Sequence, residues 1–153
     1  MHSALALRAP TNGALAQILA YAVESSGKPR HQISREVGIH RETLLRITRG
    51  DRAITLDEAV NVLGASGAFP RASLILAFAG QEQLACAWMR SEMGEFLDAF
   101  VAALPGHLER TLGHRVEDVR PRWGSGTAQL VARMLAKHID DFATRDIAMA
   151  LPR

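Results

Sequence analysis

Basic side chains are concentrated between residues 28 and 52 of this 153-residue chain. Seven lysines and arginines stand there against three acidic residues, whereas residues 67 to 153 carry ten of each sign. The basic residues are Lys28, Arg30, Arg35, Arg41, Arg46, Arg49 and Arg52. The formal net charge of the whole chain is only +2, so the positive charge is local. A local cluster of this kind on a helical segment indicates contact with a polyanion, and the alternative is an ordinary solvated face.

The residue types that form metal or catalytic sites do not stand in the spacings that those sites need. His107, His114 and His138 lack the spacing of zinc motifs. Asp140 and Asp141 are adjacent, so on a helix they would point in different directions, which does not suit a carboxylate pair acting as acid and base. We therefore expect no metal, no cofactor and no enzymatic activity.

The composition is that of a soluble globular protein, with 48% hydrophobic and 22% charged residues. The single cysteine, Cys86, cannot form an internal disulfide, which excludes a secreted disulfide framework and favours a reducing cytoplasm. No stretch approaches about 18 uninterrupted apolar residues, and residues 1–11 lack the pattern of a signal peptide. We expect no contact with a membrane.

The sequence predicts an all-α fold, because alanine and leucine dominate and no segment alternates polar and apolar residues over the length of a strand. Helices must therefore position the basic cluster. The spacing of Thr55 and Glu58 matches a capping box at the start of a helix. Glycines at 38 and 50 have the position of left-handed C-caps.

In the N-terminal half we predict helices within residues 11–27, 29–38, 40–50, 55–67 and 71–79, with His40 as the N-cap of the third. The first helix should bury an apolar face formed by Leu15, Ile18, Leu19, Ala22 and Val23. The second and third helices should be locked together by Ile33, Val37, Ile39, Leu44 and Ile47.

Two long amphipathic helices are predicted in the second half. Apolar residues recur at helical spacing over residues 81–104, and Pro105 with Gly106 should end that helix. A short helix near residues 108–112 and a second long helix over residues 127–149 should follow.

A turn-rich segment at residues 64–70 is the predicted boundary between two domains. Residues 1–66 would form a four- to five-helix domain, and residues 67–153 a second helical domain. The apolar faces of the second domain either close a monomeric core or also leave surface for a symmetric partner.

Residues 14–64 resemble the helix-turn-helix domain of the Cro/C1 repressor family, also called the XRE family. The family pattern reads here as QISREV, Gly38, Ile39, His40, RETLLRITR, Gly50, DRAI and TLDEAVNVL. Pro29 and Thr48 depart from it, since the family usually has a hydroxyl cap and a glutamate there. The resemblance implies that the helix after His40 docks in the major groove of DNA.

The resemblance also implies which side chains contact DNA. Those placed to read base edges are His40, Arg41, Glu42, Leu45 and Arg46. Those placed to contact phosphates are Arg30, Arg49 and Arg52. Arginine can hold guanine through two hydrogen bonds, glutamate can accept from cytosine, and leucine can touch the thymine methyl group.

We therefore predict a cytoplasmic, nucleoid-associated transcription regulator that binds double-stranded DNA with sequence specificity. One such domain contacts few base pairs, so a homodimer through residues 81–149 is expected. One alternative is an antitoxin-type autoregulator whose C-terminal helices bind a toxin. Another is an activator whose C-terminal domain docks onto RNA polymerase or an architectural protein. A helical packing unit without a nucleic-acid partner is the remaining alternative.

Overall fold

A computed structural model describes residues 12–150, and this part of the chain is helical without any strand. The predicted all-α class is thereby confirmed. The helices are α1 (Asn12–Ser25), α2 (Arg30–Val37), α3 (Arg41–Arg49), α4 (Leu56–Ala65), α5 (Pro70–Phe78), α6 (Glu82–Trp88), α7 (Glu92–Leu112), a 3-10 helix (Gly113–Asp118) and α8 (Trp123–Ala150). Residues 1–11, for which the sequence predicts no signal peptide, lie outside the described residues.

The chain divides into two compact units, and the division falls within α7 between His107 and Leu108. The turn-rich segment at residues 64–70 predicts a boundary after residue 66 instead. Packing explains the longer first unit, because Leu76 of α5 and Ala85 of α6 are buried in the same core as the side chains of α1. Turn residues report only local breaks in the chain, so they do not show that the following helices return to this core.

The first unit is built around α1, which contacts α3, α4, α5 and α6. The apolar face predicted for this helix is the one that is buried, with Ile18, Leu19, Ala22 and Val23 exposed by 2% or less. Burial of a whole helical face in this way is the main source of stability for a short helix. α1 is therefore the element on which α3 and α4 rest.

Two glycines end α2 and α3 where the sequence predicts. Gly38 and Gly50 have φ angles of 76° and 77°, in the left-handed region that favours glycine. At the first of them, the N–H groups of Gly38 and Ile39 both donate to the carbonyl of Ser34, at 2.9 and 3.0 Å. These bonds close a tight turn that lets α3 begin at Arg41.

The single helix predicted over residues 81–104 is wrong, because the chain breaks between α6 and α7. α6 ends at Trp88 and α7 begins at Glu92. The hydroxyl of Ser91 accepts a hydrogen bond from the N–H of Gly94 at 3.2 Å and so caps the new helix. The carbonyl of Trp88 lies against Gly94, where a Cβ atom would have no space. A local cap and a close backbone approach thus override the continuous apolar pattern.

Arg90 occupies the break and joins three parts of the first unit. Its guanidinium donates to the carbonyl oxygens of Ala22 at 2.6 Å and Ser66 at 2.8 Å, and to the hydroxyl of Ser25 at 2.6 Å. The carbonyl groups at the ends of helices have no partner within the helix, so an arginine in this position satisfies them. The ends of α1 and α4 are therefore tied to the start of α7.

The predicted stop at Pro105 and Gly106 is also wrong, since α7 runs through Pro105 to Leu112. Proline removes one N–H donor from the helix ladder. Pro105 is exposed, and the residues on both sides of it are helical, so the loss of one donor does not end the helix. α8 begins at Trp123, earlier than the predicted residue 127.

The second unit has no core of its own among its described residues. None of the side chains of residues 108–149 is buried. Across the described part of the chain, no helix combines the length and the apolar character that a bilayer span requires. Most apolar side chains of the second unit, such as Leu130 and Phe142, are exposed, whereas Leu112, Val131 and Leu135 are half-buried.

Candidate nucleic-acid interface

α3 has one face in the core and one face in solvent. Leu44 and Ile47 are 1% and 0% exposed, whereas Arg41, Glu42 and Arg46 are exposed. The apolar set predicted to lock α2 against α3 lies in the core or packs against it, which confirms that prediction. Its members are Ile33, Val37, Ile39, Leu44 and Ile47. The packing of these residues decides which side chains of α3 face outward.

Six of the eight predicted contact residues line one open concavity of about 610 Å³. Arg30 reaches it from the first turn of α2, and the remaining five come from α3 and the residue before it. The lining residues are Arg30, His40, Arg41, Glu42, Leu45 and Arg49. The turn at Gly38 is what brings the start of α2 beside the start of α3.

Most of the arginines at this surface have no ion-pair partner in the described part of the chain. Arg41 and Arg49 form no ion pair there, and neither does Arg46, which lies on α3 outside the concavity. Arg30 approaches Glu24 at 3.5 Å, and both of these side chains are well exposed. An exposed pair of this kind contributes little, because water screens both charges. The positive charge of the surface is therefore available to an anionic ligand.

The N-termini of α2 and α3 are also open at this surface. Neither Pro29, before α2, nor His40, before α3, makes a side-chain cap hydrogen bond, although His40 holds the predicted N-cap position. At α4, by contrast, Thr55 and Glu58 form the predicted capping box. N–H groups at an uncapped helix start carry partial positive charge and can donate to an anion.

Arg46 and Arg52 do not line the concavity. Arg46 is exposed elsewhere on α3. Arg52 follows α3, and its guanidinium lies 2.8 Å from the carboxylate of Glu58. A hydrogen bond from the backbone of Thr55, together with the contact to Arg52, holds the pKa of Glu58 below its ordinary value. The structure thus places Arg52 in a salt bridge that ties the loop to the start of α4.

Asn12 holds the loop after α3 in place, a role that no pattern in the sequence indicates. Its amide donates to the carbonyl of Arg52 and accepts from the N–H of Ile54, both at 3.0 Å. This two-point contact holds the loop after α3 against the start of α1. Asparagine is common at helix starts because its side chain caps the helix. Its presence at residue 12 therefore does not indicate a hydrogen bond to Arg52, 40 residues away.

Within residues 12–150, no group of three histidine, cysteine, aspartate or glutamate side chains is arranged to hold a metal ion. Comparison of the chain with protein-family models, with curated proteins and with solved structures returns no match.

Proposed function

We propose that the chain is a sequence-specific regulator of transcription that places α3 in the major groove of double-stranded DNA. The observation that carries the proposal is the surface around α3. Two arginines without ion-pair partners in the described residues, Arg41 and Arg49, lie there beside two uncapped helix starts. Phosphate groups need this combination of charge and N–H donors. The resemblance of residues 14–64 to the Cro/C1 family supports the same function.

The chemistry of the concavity supports a division of roles. Arg41, Glu42 and Leu45 lie in the first half of α3, the part of a recognition helix that reaches base edges. These three side chains offer a bidentate donor, an acceptor and an apolar contact, which suit guanine, cytosine and the thymine methyl group respectively. Arg30 and Arg49 flank them and are assigned to phosphates.

The protein is proposed to act as a homodimer, because two half-sites provide affinity and specificity that one helix-turn-helix unit lacks. The proposed surface for the partner lies within residues 81–149, and its part in the second unit, residues 108–149, exposes most of its apolar side chains. The same exposure supports a second candidate, in which the C-terminal helices bind a toxin or the transcription machinery. In either case the protein would work in the cytoplasm at the nucleoid.

Selection from a randomised duplex library at near-physiological salt, followed by sequencing of the retained DNA, tests the proposal. We expect an enriched inverted repeat. A variant with Arg41→Ala and Arg46→Ala should lose the enrichment, whereas Arg120→Ala with Arg122→Ala, which removes the same charge from exposed positions in the second unit, should keep it. Failure of the wild-type protein to enrich any sequence would overturn the proposal.

A further inference from the structure

Glu42 is the one acidic residue among the six side chains that line the concavity, and the other charged ones are arginines. It forms no ion pair with any of them, nor with another residue in the described part of the chain. The four salt bridges found there use other acidic residues, which are Glu24, Glu36, Glu58 and Asp98. Glu42 therefore presents an exposed carboxylate without a partner on the surface proposed to contact DNA.

Glu42 also points away from the core of the first unit. Successive residues of an α-helix are rotated by about 100°, so the direction of each side chain around α3 follows from its position. Leu44 and Ile47 define the buried side of α3, and Glu42 lies about 170° from the midpoint between them. Arg41 and Arg46 lie on either side of Glu42. With the outer side of α3 in the major groove, Glu42 is the residue of the first turn that faces the base edges.

A carboxylate in this place is repelled by most of what the major groove presents. The phosphates are negative, and guanine O6 and N7, adenine N7 and thymine O4 are all hydrogen-bond acceptors. The donors in the groove are the amino groups of cytosine and adenine. The adenine amino group lies between two acceptors, whereas the cytosine amino group has an acceptor on one side only. Cytosine is therefore the base that best accommodates an unpaired carboxylate.

We propose that Glu42 determines specificity by exclusion, because its carboxylate weakens binding to every DNA site that lacks a cytosine at one position of each half-site. The ligand is thereby narrowed to operators with a C·G base pair at that position. Glu42 lowers the affinity for non-specific DNA more than the affinity for the operator, so the ratio of the two affinities rises. The inference names the class of DNA that the site accepts and in that respect rests on the proposed function.

A matched control separates this role from a local effect on the helix. Glu42 is the second residue of α3, where a negative charge also stabilises the start of the helix. Asp57 is the second residue of α4, is exposed and has no ion-pair partner in the described residues, but it lies outside the concavity. Glu42→Gln and Asp57→Asn therefore each remove one charge from the same position of a helix.

Selection from the randomised duplex library compares the full-length wild type with these two variants. We expect one position of each half-site selected by the wild type to be fixed as cytosine. Glu42→Gln should lose this cytosine, with adenine the expected replacement, because an amide side chain can pair with both N6 and N7 of adenine. Asp57→Asn should select the same sequence as the wild type. Melting temperatures of the three proteins set a binding temperature at which all of them are folded.

Titration of two duplexes at near-physiological salt measures the size of the effect. One is the selected site, and the other is the same site with that C·G pair replaced by T·A. The wild type should prefer the selected site by about tenfold or more. Glu42→Gln should reduce this ratio to about threefold or less, mainly because the altered duplex no longer meets a repelling charge and binds more tightly. Asp57→Asn should keep the ratio of the wild type.

A half-site selected by the wild type without a fixed cytosine would overturn the inference and leave the proposed function standing. So would a Glu42→Gln variant that keeps the preference for cytosine, or that binds both duplexes more weakly by the same factor. The last result is the one expected of a residue that only stabilises the start of α3. A wild-type protein that enriches no sequence would instead contradict the proposed function, and the inference would fall with it.

Discussion

The guanidinium of Arg52 donates to one carboxylate oxygen of Glu58 at 2.8 Å, while the other oxygen of Glu58 accepts the backbone N–H of Thr55 at 3.0 Å. The side chains of this pair are 35% and 16% exposed, so water screens the contact only in part. The pair connects the loop after α3 to the first turn of α4. Arg52 therefore stabilises the fold.

Arg52→Ala should destabilise the protein. The change removes a charged hydrogen bond in a half-buried setting, and we expect a loss of about 1 kcal/mol in the free energy of unfolding. Arg41→Ala is the matched control, because Arg41 has no ion-pair partner in the described residues and lies at a helix N-terminus, where a positive charge is unfavourable. Urea denaturation measures both variants, and equal stabilities would show that the salt bridge contributes nothing.

The contribution of Glu58 should depend on pH. Its pKa is lower in the folded chain than in the unfolded chain, so its stabilisation is complete above the ordinary carboxyl range and is lost as the pH falls through the folded pKa. The difference in unfolding free energy between the wild type and Glu58→Gln should therefore be largest near neutral pH and shrink in acid. Denaturation at a series of pH values measures it, and a difference that grows on acidification would contradict the assignment.

Gly94→Ala should destabilise the first unit because the carbonyl of Trp88 occupies the place that the new methyl group needs. Overpacking against backbone costs about 1 to 3 kcal/mol. Gly64→Ala adds the same atom in α4, where nothing lies within 4 Å, and should stabilise the helix by up to about 1 kcal/mol. Thermal unfolding compares the two variants. If both shift the melting temperature in the same direction, the close approach at Gly94 is not what breaks the helix.

The arginines of α3 should affect DNA binding in two different ways. Arg41→Ala and Arg46→Ala should relax the preference at particular base pairs, since the resemblance to the Cro/C1 family places both residues at base edges. Arg49→Ala should weaken binding to all sequences and reduce the salt slope by about one contact, as expected for a phosphate ligand. Competition binding with single-base variants of the selected site measures the preference. A uniform loss in all three variants would refute this division of roles.

The sequence alone determined the elements whose signals are local. The buried face of α1, the capping box of Thr55 and Glu58 and the left-handed C-caps at Gly38 and Gly50 all match their predictions. Each depends on residues within a few positions of one another, so periodicity and capping chemistry are enough to find them. The solvent-facing side of α3 could be predicted in the same way, because the spacing of its apolar residues decides which side of the helix is buried.

Only the tertiary structure decided the features that join distant residues. It gathered Arg30 and α3 around one concavity, paired Arg52 with Glu58 and joined Asn12 to the loop after α3. It also broke the predicted helix over residues 81–104, because the backbone of Trp88 packs against Gly94 while Arg90 reaches the ends of α1 and α4. A hydrophobic period records which face of a helix is buried, but it carries no information about the partner that buries it. That partner is set by packing between elements far apart in the chain.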